Sequence, residues 1–243
     1  MATVLILGAS SDMAIAIARK FAEEKYDVQL AARRKEEISA LKPDLAIRYN
    51  IQCTIHHFDA EAFSTHEDFY ESLQPKPDVA ITVFGYMNDN EKVIRDQKET
   101  LRTIFVNYAG AVSILNIIAL DFAKRKQGTI VGISSVAGER GRQSNYVYGS
   151  AKAGFTAYLS GLRNRMYREG VHVVTVLPGF VYTRMTENLR LPPLLTAQPQ
   201  DVAKAVWQGV RNKKNVVYIK WFWRWIMCII RWIPESIFKK KKL

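Results

Sequence analysis

The sequence predicts an α/β fold, a doubly wound parallel sheet in a single domain with helices on both faces. Short β-branched runs alternate with helical patterns along the chain, and small or charged residues follow most of these runs. The 243 residues are 48% hydrophobic, which is enough to bury a core. We interpret residues 1–219 as one domain with a loop-rich region at about 184–200, and residues 220–243 as a tail.

The first strand and helix predict a nucleotide-binding unit of the Rossmann type. Residues 3–7 form a β-branched run, Gly8 permits a tight turn, and a helical pattern covers 14–24. Small side chains after the glycine let a pyrophosphate approach the N–H groups at the helix start. An ordinary strand-to-helix turn would also explain the single glycine. The candidate cofactor contacts in this turn are Gly8, Ser10, Ser11, Asp12 and Met13.

The second strand ends in two cations that indicate which cofactor is used. Residues 28–32 run into Arg33 and Arg34, and no acidic residue follows before Glu36. A carboxylate at this point would bind the ribose 2′-hydroxyl of NAD, whereas an arginine suits the 2′-phosphate of NADP. We therefore predict NADPH or NADP as the cofactor, with Arg33 as a contact; the alternative is a solvated helix start.

Five further runs predict strands at 51–58, 78–84, 128–134, 171–177 and 216–219. Helical patterns between them are clearest at 99–120, 148–169 and 200–211. Ligands of doubly wound sheets bind beyond the carboxyl ends of the strands. The residues that fall at those ends are Gly8, Arg33, Asp59, Gly85, Ser135 and Pro178.

Tyr148 and Lys152 predict a device for proton transfer. The two residues are four positions apart and share one face of a helix. A nearby ammonium favours the phenolate, so we expect Lys152 to lower the pKa of Tyr148. A serine hydroxyl such as that of Ser135 could hold a carbonyl or alcohol oxygen beside the pair. Asn107 lies among apolar neighbours, so we expect it to be buried with a hydrogen-bond partner.

On these residues the chain resembles the short-chain dehydrogenase/reductase family over about residues 3–185. The family's Tyr-x-x-x-Lys stands at Tyr148 and Lys152, with its serine thirteen residues earlier at Ser135 and its asparagine at Asn107. The resemblance implies that Tyr148 donates a proton to a carbonyl as hydride arrives at its carbon. Lys152 would hold the nicotinamide ribose, Ser135 the substrate oxygen and Asn107 a water. The cofactor contacts that it implies include Asp59, Gly85, Tyr148, Lys152, Pro178, Gly179, Val181 and Thr183.

Two stretches depart from the family pattern. The family's Gly-x-x-x-Gly-x-Gly is Gly8-x-x-x-Asp12-x-Ala14 here, and its Asn-Asn-Ala-Gly is Thr-Val-Phe-Gly at residues 82–85. A carboxylate is not expected close to a pyrophosphate, although Asp12 could cap the helix. The departures leave the expected fold unchanged and indicate an atypical branch.

The tail combines aromatic residues with positive charge. Residues 211–243 hold ten lysines and arginines against Glu235 alone, a net charge of +9 within the +12 of the chain. Four of the five tryptophans lie at 221–232, in an apolar stretch of 13 residues that is too short to span a bilayer. Tryptophan and lysine together favour the membrane interface, so we predict an amphipathic membrane-interface segment. Packing against the domain or in a dimer interface is the alternative, and no nucleic acid is expected.

The chain also resembles the subgroup of short-chain reductases related to decaprenylphosphoryl-2-keto-ribose reductase. The resemblance rests on Leu-Gly-Ala-Ser-Ser-Asp at 7–12, Phe-Gly-Tyr at 84–86 and the tryptophan-rich basic end. It implies reduction of a polyprenyl-phosphate-linked keto-sugar in cell-envelope glycan synthesis. The alternatives are reduction of another apolar carbonyl, such as a 3-oxoacyl thioester, sterol or retinoid, and a membrane-bound nucleotide-binding scaffold without catalysis.

The compartment and assembly follow from weaker signals. Two cysteines give no disulfide framework, and residues 1–7 read as a strand without a basic signal-peptide start. We therefore expect a cytoplasmic protein that associates peripherally with a membrane. No histidine has the spacing of a metal ligand, so no metal site is predicted. The resemblance implies a homo-oligomer, either a dimer or a tetramer.

Overall fold

Seven parallel strands form the central sheet of the structure, a computed structural model that describes residues 1–187 and 191–241. The strands are β1 (Thr3–Leu7), β2 (Asp27–Ala32), β3 (Cys53–His57), β4 (Val79–Thr82), β5 (Thr129–Ile133), β6 (His172–Pro178) and, after two short strands outside this sheet, β9 (Val216–Ile219). Their order across the sheet is β3-β2-β1-β4-β5-β6-β9. The short strands β7 (Phe180–Val181) and β8 (Thr196–Ala197) pair with each other. The predicted parallel Rossmann-type sheet is confirmed.

Ten α-helices in the described residues connect and flank these strands. They are α1 (Asp12–Glu23), α2 (Leu41–Tyr49), α3 (His66–Ser72), α4 (Asn90–Arg95), α5 (Gln97–Ile104), α6 (Gly110–Arg125), α7 (Tyr146–Met166), α8 (Pro199–Arg211), α9 (Trp223–Trp232) and α10 (Glu235–Phe238). The helix predicted at 99–120 is α5 and α6 joined by a π-helical turn, Phe105–Ala109. Helix α2 was not predicted, because only Leu41 and Leu45 of its nine residues are buried and its apolar period is weak.

The sheet is buried on both faces, which explains why its strands read as continuous apolar runs. In β1, Val4 and Ile6 face the cluster covered by α1 and α8, whereas Leu5 and Leu7 face the cluster covered by α6 and α7. Because both faces are covered, the polar residues that follow the strands are left at the carboxyl edge of the sheet. The sheet therefore gathers its strand-end residues along one edge.

Among the described residues, one helical stretch is long and apolar enough to cross a membrane. Gln97–Arg125 has 29 residues, and its most apolar 18-residue window has a mean hydropathy of 1.8 and is half buried in the protein. Ile114, Ile118 and Phe122 of this stretch are fully buried against the sheet. Length and composition alone are weak support for a span, and we interpret the stretch as a core helix.

The tail helix α9 has two apolar faces, of which one is covered. Trp223 and Met227 are buried in a third apolar cluster with Val136 and Leu177. On the opposite face Trp225 is 60% exposed, and Trp221, Ile229 and Trp232 are exposed as well. Packing against the domain was the alternative explanation for the apolar tail. It accounts for the inner face of α9 and leaves the outer face unexplained. The predicted tail and the predicted loop also include residues 242–243 and 188–190, which lie outside the described residues.

Candidate active site

Helix α7 carries the Tyr-x-x-x-Lys pair at the carboxyl edge of the sheet. Lys152 is 4% exposed, and its Nζ donates to the carbonyl oxygen of Ile133, at the end of β5, over 3.1 Å. The same Nζ lies 5.8 Å from the ring centroid of Tyr148. Ser134 fixes the helix to the strand, since its Oγ hydrogen-bonds the Lys152 carbonyl (3.0 Å) and Thr156 Oγ1 (2.7 Å). The end of β5 thus positions the pair.

Burial sets the protonation of both members of the pair. Loss of solvation raises the pKa of Tyr148 to about 12, opposed by a hydrogen bond from Ser135. Loss of solvation also lowers the pKa of Lys152 to about 8. The expected lowering of the Tyr148 pKa by Lys152 is therefore not found, because burial raises it and the opposing hydrogen bond comes from Ser135. At neutral pH Tyr148 carries its proton, so it is suited to donate rather than to abstract one.

Ser135 is brought to Tyr148 by the turn that follows β5. Its backbone is extended (φ −168°, ψ 152°), and its Oγ accepts a hydrogen bond from the N–H of Ala137 over 3.1 Å. This bond caps the 3₁₀ turn Val136–Gly138 and fixes the rotamer of the serine. The hydroxyl proton remains available for Tyr148 or for a bound oxygen atom.

Asn107 is buried in the π-helical turn and fastens the loop after β4. Its Nδ2 donates to the carbonyl oxygens of Tyr86 (2.5 Å) and Thr103 (2.8 Å), and its Oδ1 accepts from the N–H of Tyr86 (3.2 Å). A Cβ on Gly85 would lie 3.1 Å from Asn107 Oδ1 and 3.7 Å from Lys152 Nζ. Gly85 thus lets the asparagine and the lysine approach each other, and the expected hydrogen-bond partner of Asn107 is the backbone of Tyr86.

A cleft of about 340 Å³ lies along the carboxyl ends of β1 to β4, and Gly85 is where it comes closest to Lys152. Gly8 has φ +91°, and a Cβ there would lie 2.5 Å from the backbone nitrogen of Phe84, so only glycine fits. Ser11 caps α1 by accepting from the N–H of Ala14 over 3.2 Å. The predicted cofactor contacts that line the cleft are Gly8, Ser10, Ser11, Asp12, Met13, Arg33, Asp59, Gly85 and Thr183.

The comparisons with known proteins agree with this geometry. The sequence profile of the short chain dehydrogenase family matches residues 2–193. An uncharacterized oxidoreductase of Mycobacterium tuberculosis is 32% identical over 242 residues, which cover 98% of this chain and 96% of the relative. The chain belongs to the short-chain dehydrogenase family. It is therefore an oxidoreductase that acts on alcohol or ketone groups, and the scaffold without catalysis is disfavoured.

Two solved structures show how closely this short-chain dehydrogenase keeps the fold. A short-chain dehydrogenase from Sphingobium yanoikuyae in complex with NADPH superposes with a TM-score of 0.83 at 22% identity, covering 97% of this chain and 98% of the other. The bulky-bulky ketone specific alcohol dehydrogenase from Comamonas testosteroni gives 0.82 at 21% identity, covering 97% and 96%. The resemblance to the keto-ribose reductase subgroup remains a prediction.

Asp12, the residue that departs from the glycine pattern of short-chain dehydrogenases, is paired with Arg184. Its Oδ2 accepts from the backbone N–H of Arg184 (2.8 Å), and its Oδ1 lies 3.3 Å from the Arg184 Nε. The Arg184 guanidinium also donates to the carbonyl oxygen of Ser10. The arginine offsets the charge of Asp12 and fastens residues 183–185 over the cleft. Arg184 was missed in the sequence because its partner lies 172 positions away.

Of the two arginines after β2 in this short-chain dehydrogenase, one is in an ion pair with a carboxylate of the described residues and the other is not. Arg34 forms an ion pair with Glu37. Arg33 makes no ion pair with any of the described residues, and it lines the cleft. A guanidinium without a carboxylate is available for an anion. Arg102, which lies 4.2 Å from the ring centroid of Tyr86 at the rim of the cleft, was not predicted.

Five predicted contacts do not line the cleft of this short-chain dehydrogenase: Tyr148, Lys152, Pro178, Gly179 and Val181. A Cβ on Gly179 would lie 2.1 Å from the indole Nε1 of Trp223, so the tail helix rests directly on this glycine. The same Nε1 donates to the carbonyl oxygen of Leu195 over 3.1 Å. Val181 is buried at 5% exposure. The tail therefore covers the sheet edge beside Ser135, as the alternative of packing against the domain predicted.

Proposed function

We propose that this short-chain dehydrogenase uses NADPH to reduce a ketone to an alcohol. The observation that carries the proposal is the set of Ser135, protonated Tyr148 and Lys152 at the sheet edge, beside a cleft that ends at Arg33. The nicotinamide supplies a hydride when it is bound. Tyr148 donates its proton to the carbonyl oxygen, and Ser135 holds that oxygen through a hydrogen bond. Lys152 binds the ribose and stabilises the phenolate that forms.

The cleft residues fit NADPH in their chemistry. Gly8 permits the tight turn into α1 beside the Phe84 backbone. A pyrophosphate at the start of α1 would meet N–H groups and a helix dipole that favour an anion. Arg33 suits the 2′-phosphate, because it has no carboxylate partner among the described residues. Asp59 and Thr183 border the same cleft. We infer that Asn107 supports proton supply to Tyr148 by fixing the loop at Gly85.

We propose that the substrate is a keto-sugar carried on a polyprenyl phosphate and that the protein rests on the cytoplasmic face of a membrane. Trp225 and Trp232 are 60% and 82% exposed on one side of α9, and Trp221, two residues before the helix, is 74% exposed. Lysines 239–241, which follow α10, are exposed as well. Indoles prefer the interface and lysines attract anionic headgroups. Because the inner side of α9 covers the region of Ser135, a membrane-borne ketone would arrive close to the catalytic residues.

A second substrate class fits the same surface. Another apolar ketone, such as a 3-oxoacyl thioester, sterol or retinoid, would also partition into a membrane. We also propose a homo-oligomer, a dimer or a tetramer, because Leu101, Phe105 and Leu120 are exposed on the outer side of α5 and α6.

The test combines turnover with vesicle binding. We expect NADPH oxidation with a polyprenyl-phosphate keto-sugar in anionic vesicles to exceed oxidation with the other apolar ketones, and Tyr148→Phe to abolish it. Burying on the order of 100 Å² of indole gives about 2.5 kcal/mol, so Trp232→Ala should weaken vesicle binding by tens of fold. The control is Tyr167→Ala, an 83% exposed aromatic residue before β6 at the opposite sheet edge. Equal binding of both variants would refute the membrane surface.

A further inference from the structure

His66 is a fully buried histidine that the proposed reaction does not use. It is the first residue of α3, and it is 0% exposed. The imidazole stacks on the ring of Phe58, with centroids 4.9 Å apart and planes at 29°, and it meets the edge of the Phe63 ring. A buried polar group needs hydrogen-bond partners, and both ring nitrogens of His66 have one. These partners show what the residue holds together.

The two partners of the imidazole lie on different elements. Nε2 is 2.9 Å from the carbonyl oxygen of Asp59, in the turn after β3, and Nδ1 is 2.9 Å from Oγ of Ser113, on α6. A carbonyl oxygen can only accept, so Nε2 carries the proton and donates it. Burial lowers the pKa of His66, so the ring is neutral and Nδ1 accepts from the Ser113 hydroxyl. The imidazole therefore ties the turn after β3 to α6.

The turn after β3 forms one wall of the cleft. Residues 58–61 all line the cleft. The turn is closed by its own bonds, because Asp59 Oδ1 accepts from the N–H of Glu61 (3.0 Å) and the Asp59 carbonyl oxygen accepts from the N–H of Ala62 (3.2 Å). These bonds shape the turn but do not attach it to another element. His66 supplies the hydrogen-bonded link to α6.

A glycine on α6 lets the wall come close to that helix. A Cβ on Gly110, the first residue of α6, would lie 2.3 Å from the carbonyl oxygen of Ala60. Any larger residue would therefore push the wall away from the helix. The glycine only permits this close approach, whereas the bonds of His66 determine where the wall is held.

The position of Arg33 indicates which half of the cofactor meets this wall. Arg33 lines the same cleft after β2, and β2 is the neighbour of β3 in the sheet. The ribose that carries the 2′-phosphate also carries the adenine, so a 2′-phosphate at Arg33 brings the adenine to the ends of β2 and β3. We propose that His66 is a positioning residue for the cofactor, which holds residues 58–61 where they receive the adenine ring. The inference rests on the proposed use of NADPH.

The test measures binding of 2′,5′-ADP by calorimetry. This probe contains the adenine and the 2′-phosphate and lacks the nicotinamide. His66→Leu keeps an apolar side chain in the site and removes both hydrogen bonds, so it should raise the Kd for 2′,5′-ADP by about tenfold. The KM for NADPH should rise by the same factor. The kcat should stay within about twofold, because Lys152 is held by the end of β5 and not by this turn.

Two further variants separate the hydrogen bonds from the volume of the side chain. His66→Gln keeps an N–H donor of similar reach, so it should restore the Kd for 2′,5′-ADP to within about threefold of the wild-type value. Ser113→Ala leaves the imidazole in place and removes its partner on α6, so it should raise the Kd by about threefold. Rescue by glutamine distinguishes a role of the donor from a role of packing alone.

Tyr70→Phe is the matched control. Tyr70 also lies on α3, is 3% exposed, and donates from its hydroxyl to Oδ2 of Asp121 on α6 over 2.7 Å. The variant removes a bond between the same two helices that does not reach the cleft wall. It should therefore lower the Tm and leave the Kd for 2′,5′-ADP unchanged. If His66→Leu lowered the Tm in the same way and kept the wild-type Kd, its role would be structural and the proposal would be refuted.

The binding measurement needs no ketone, so it separates this inference from the proposed reaction. A tenfold weaker binding of 2′,5′-ADP by His66→Leu, with rescue by His66→Gln, supports the positioning role even if no ketone is reduced. Equal affinity of the wild type and His66→Leu would overturn the positioning role, while ketone reduction would still stand. Absence of 2′,5′-ADP binding in the wild type would overturn it together with the assignment of Arg33 to the 2′-phosphate.

Discussion

Arg140 should determine whether the tail stays on the domain. Its Nη1 donates to the carbonyl oxygens of Ile230 (3.1 Å), Arg231 (2.9 Å) and Ile233 (2.8 Å). These carbonyls lie at the end of α9, where a helix has no partners of its own and the dipole favours a cation. The guanidinium also lies 4.0 Å from the ring centroid of Phe238. One side chain from the loop after β5 thus caps α9 and contacts α10.

The cost of removing this cap follows from its contacts. Hydrogen bonds to a charged group contribute about 1.5–3 kcal/mol each, and Nη1 has only two hydrogens for its three acceptors. The ion pair to Glu235 adds little, because that carboxylate is 74% exposed. Arg140→Met should therefore weaken tail docking by about 3 kcal/mol, which is roughly a hundredfold in the opening equilibrium.

Amide hydrogen exchange measures this opening directly. Peptides covering 223–238 should exchange roughly a hundredfold faster in Arg140→Met, while β1 and β4 keep their protection. Arg231→Met is the control, because its guanidinium is 61% exposed and its Nη1 lies 3.7 Å from the carboxylate of Glu139. Unchanged exchange over 223–238 would refute the capping role. An equal loss of protection across the whole sheet would show that the tail and the domain open together.

Four further outcomes test the catalytic and cofactor residues. Tyr148→Phe should reduce kcat by about a thousandfold and leave NADPH binding intact, as measured by cofactor fluorescence. Arg33→Asp should reverse the preference for NADPH over NADH in kcat/KM, and an unchanged ratio would place the 2′-phosphate elsewhere. Arg184→Met should raise KM for NADPH by about fivefold, since a partly exposed ion pair gives at most about 1 kcal/mol. The rate of reduction should fall as the pH rises through about 8, where Lys152 loses its proton, and a flat profile from 7 to 9 would contradict its role.

Features of the fold and the site that depend only on residues close together in the chain could be predicted from the sequence. Gly8 was identified from its place between a strand and a helix, and its positive φ is a property of that turn alone. Tyr148 and Lys152 were identified because four residues return a helix to the same face. The strands were predictable because burial on both faces makes them continuously apolar.

Contacts between distant residues were not predictable in the same way. Asp12 was unexpected near a pyrophosphate because its partner, Arg184, joins it only when β6 and the following loop return to the same edge. The pKa of Tyr148 was expected to fall, but a sequence does not show how deeply a side chain is buried, and burial raises it.

Helix α9 connects the proposed membrane surface to the proposed substrate site through its own geometry. Trp223 and Met227 are four residues apart and face the domain, whereas Trp225 and Trp232 face outward. Ten residues are too few for a stable isolated helix, so α9 depends on its inner contacts for its shape. Its outer face is therefore ordered only while its inner face covers the region of Ser135. A change that releases the inner face must also disorder the outer tryptophans. Arg140→Met should therefore weaken vesicle binding, although the substitution removes no exposed indole.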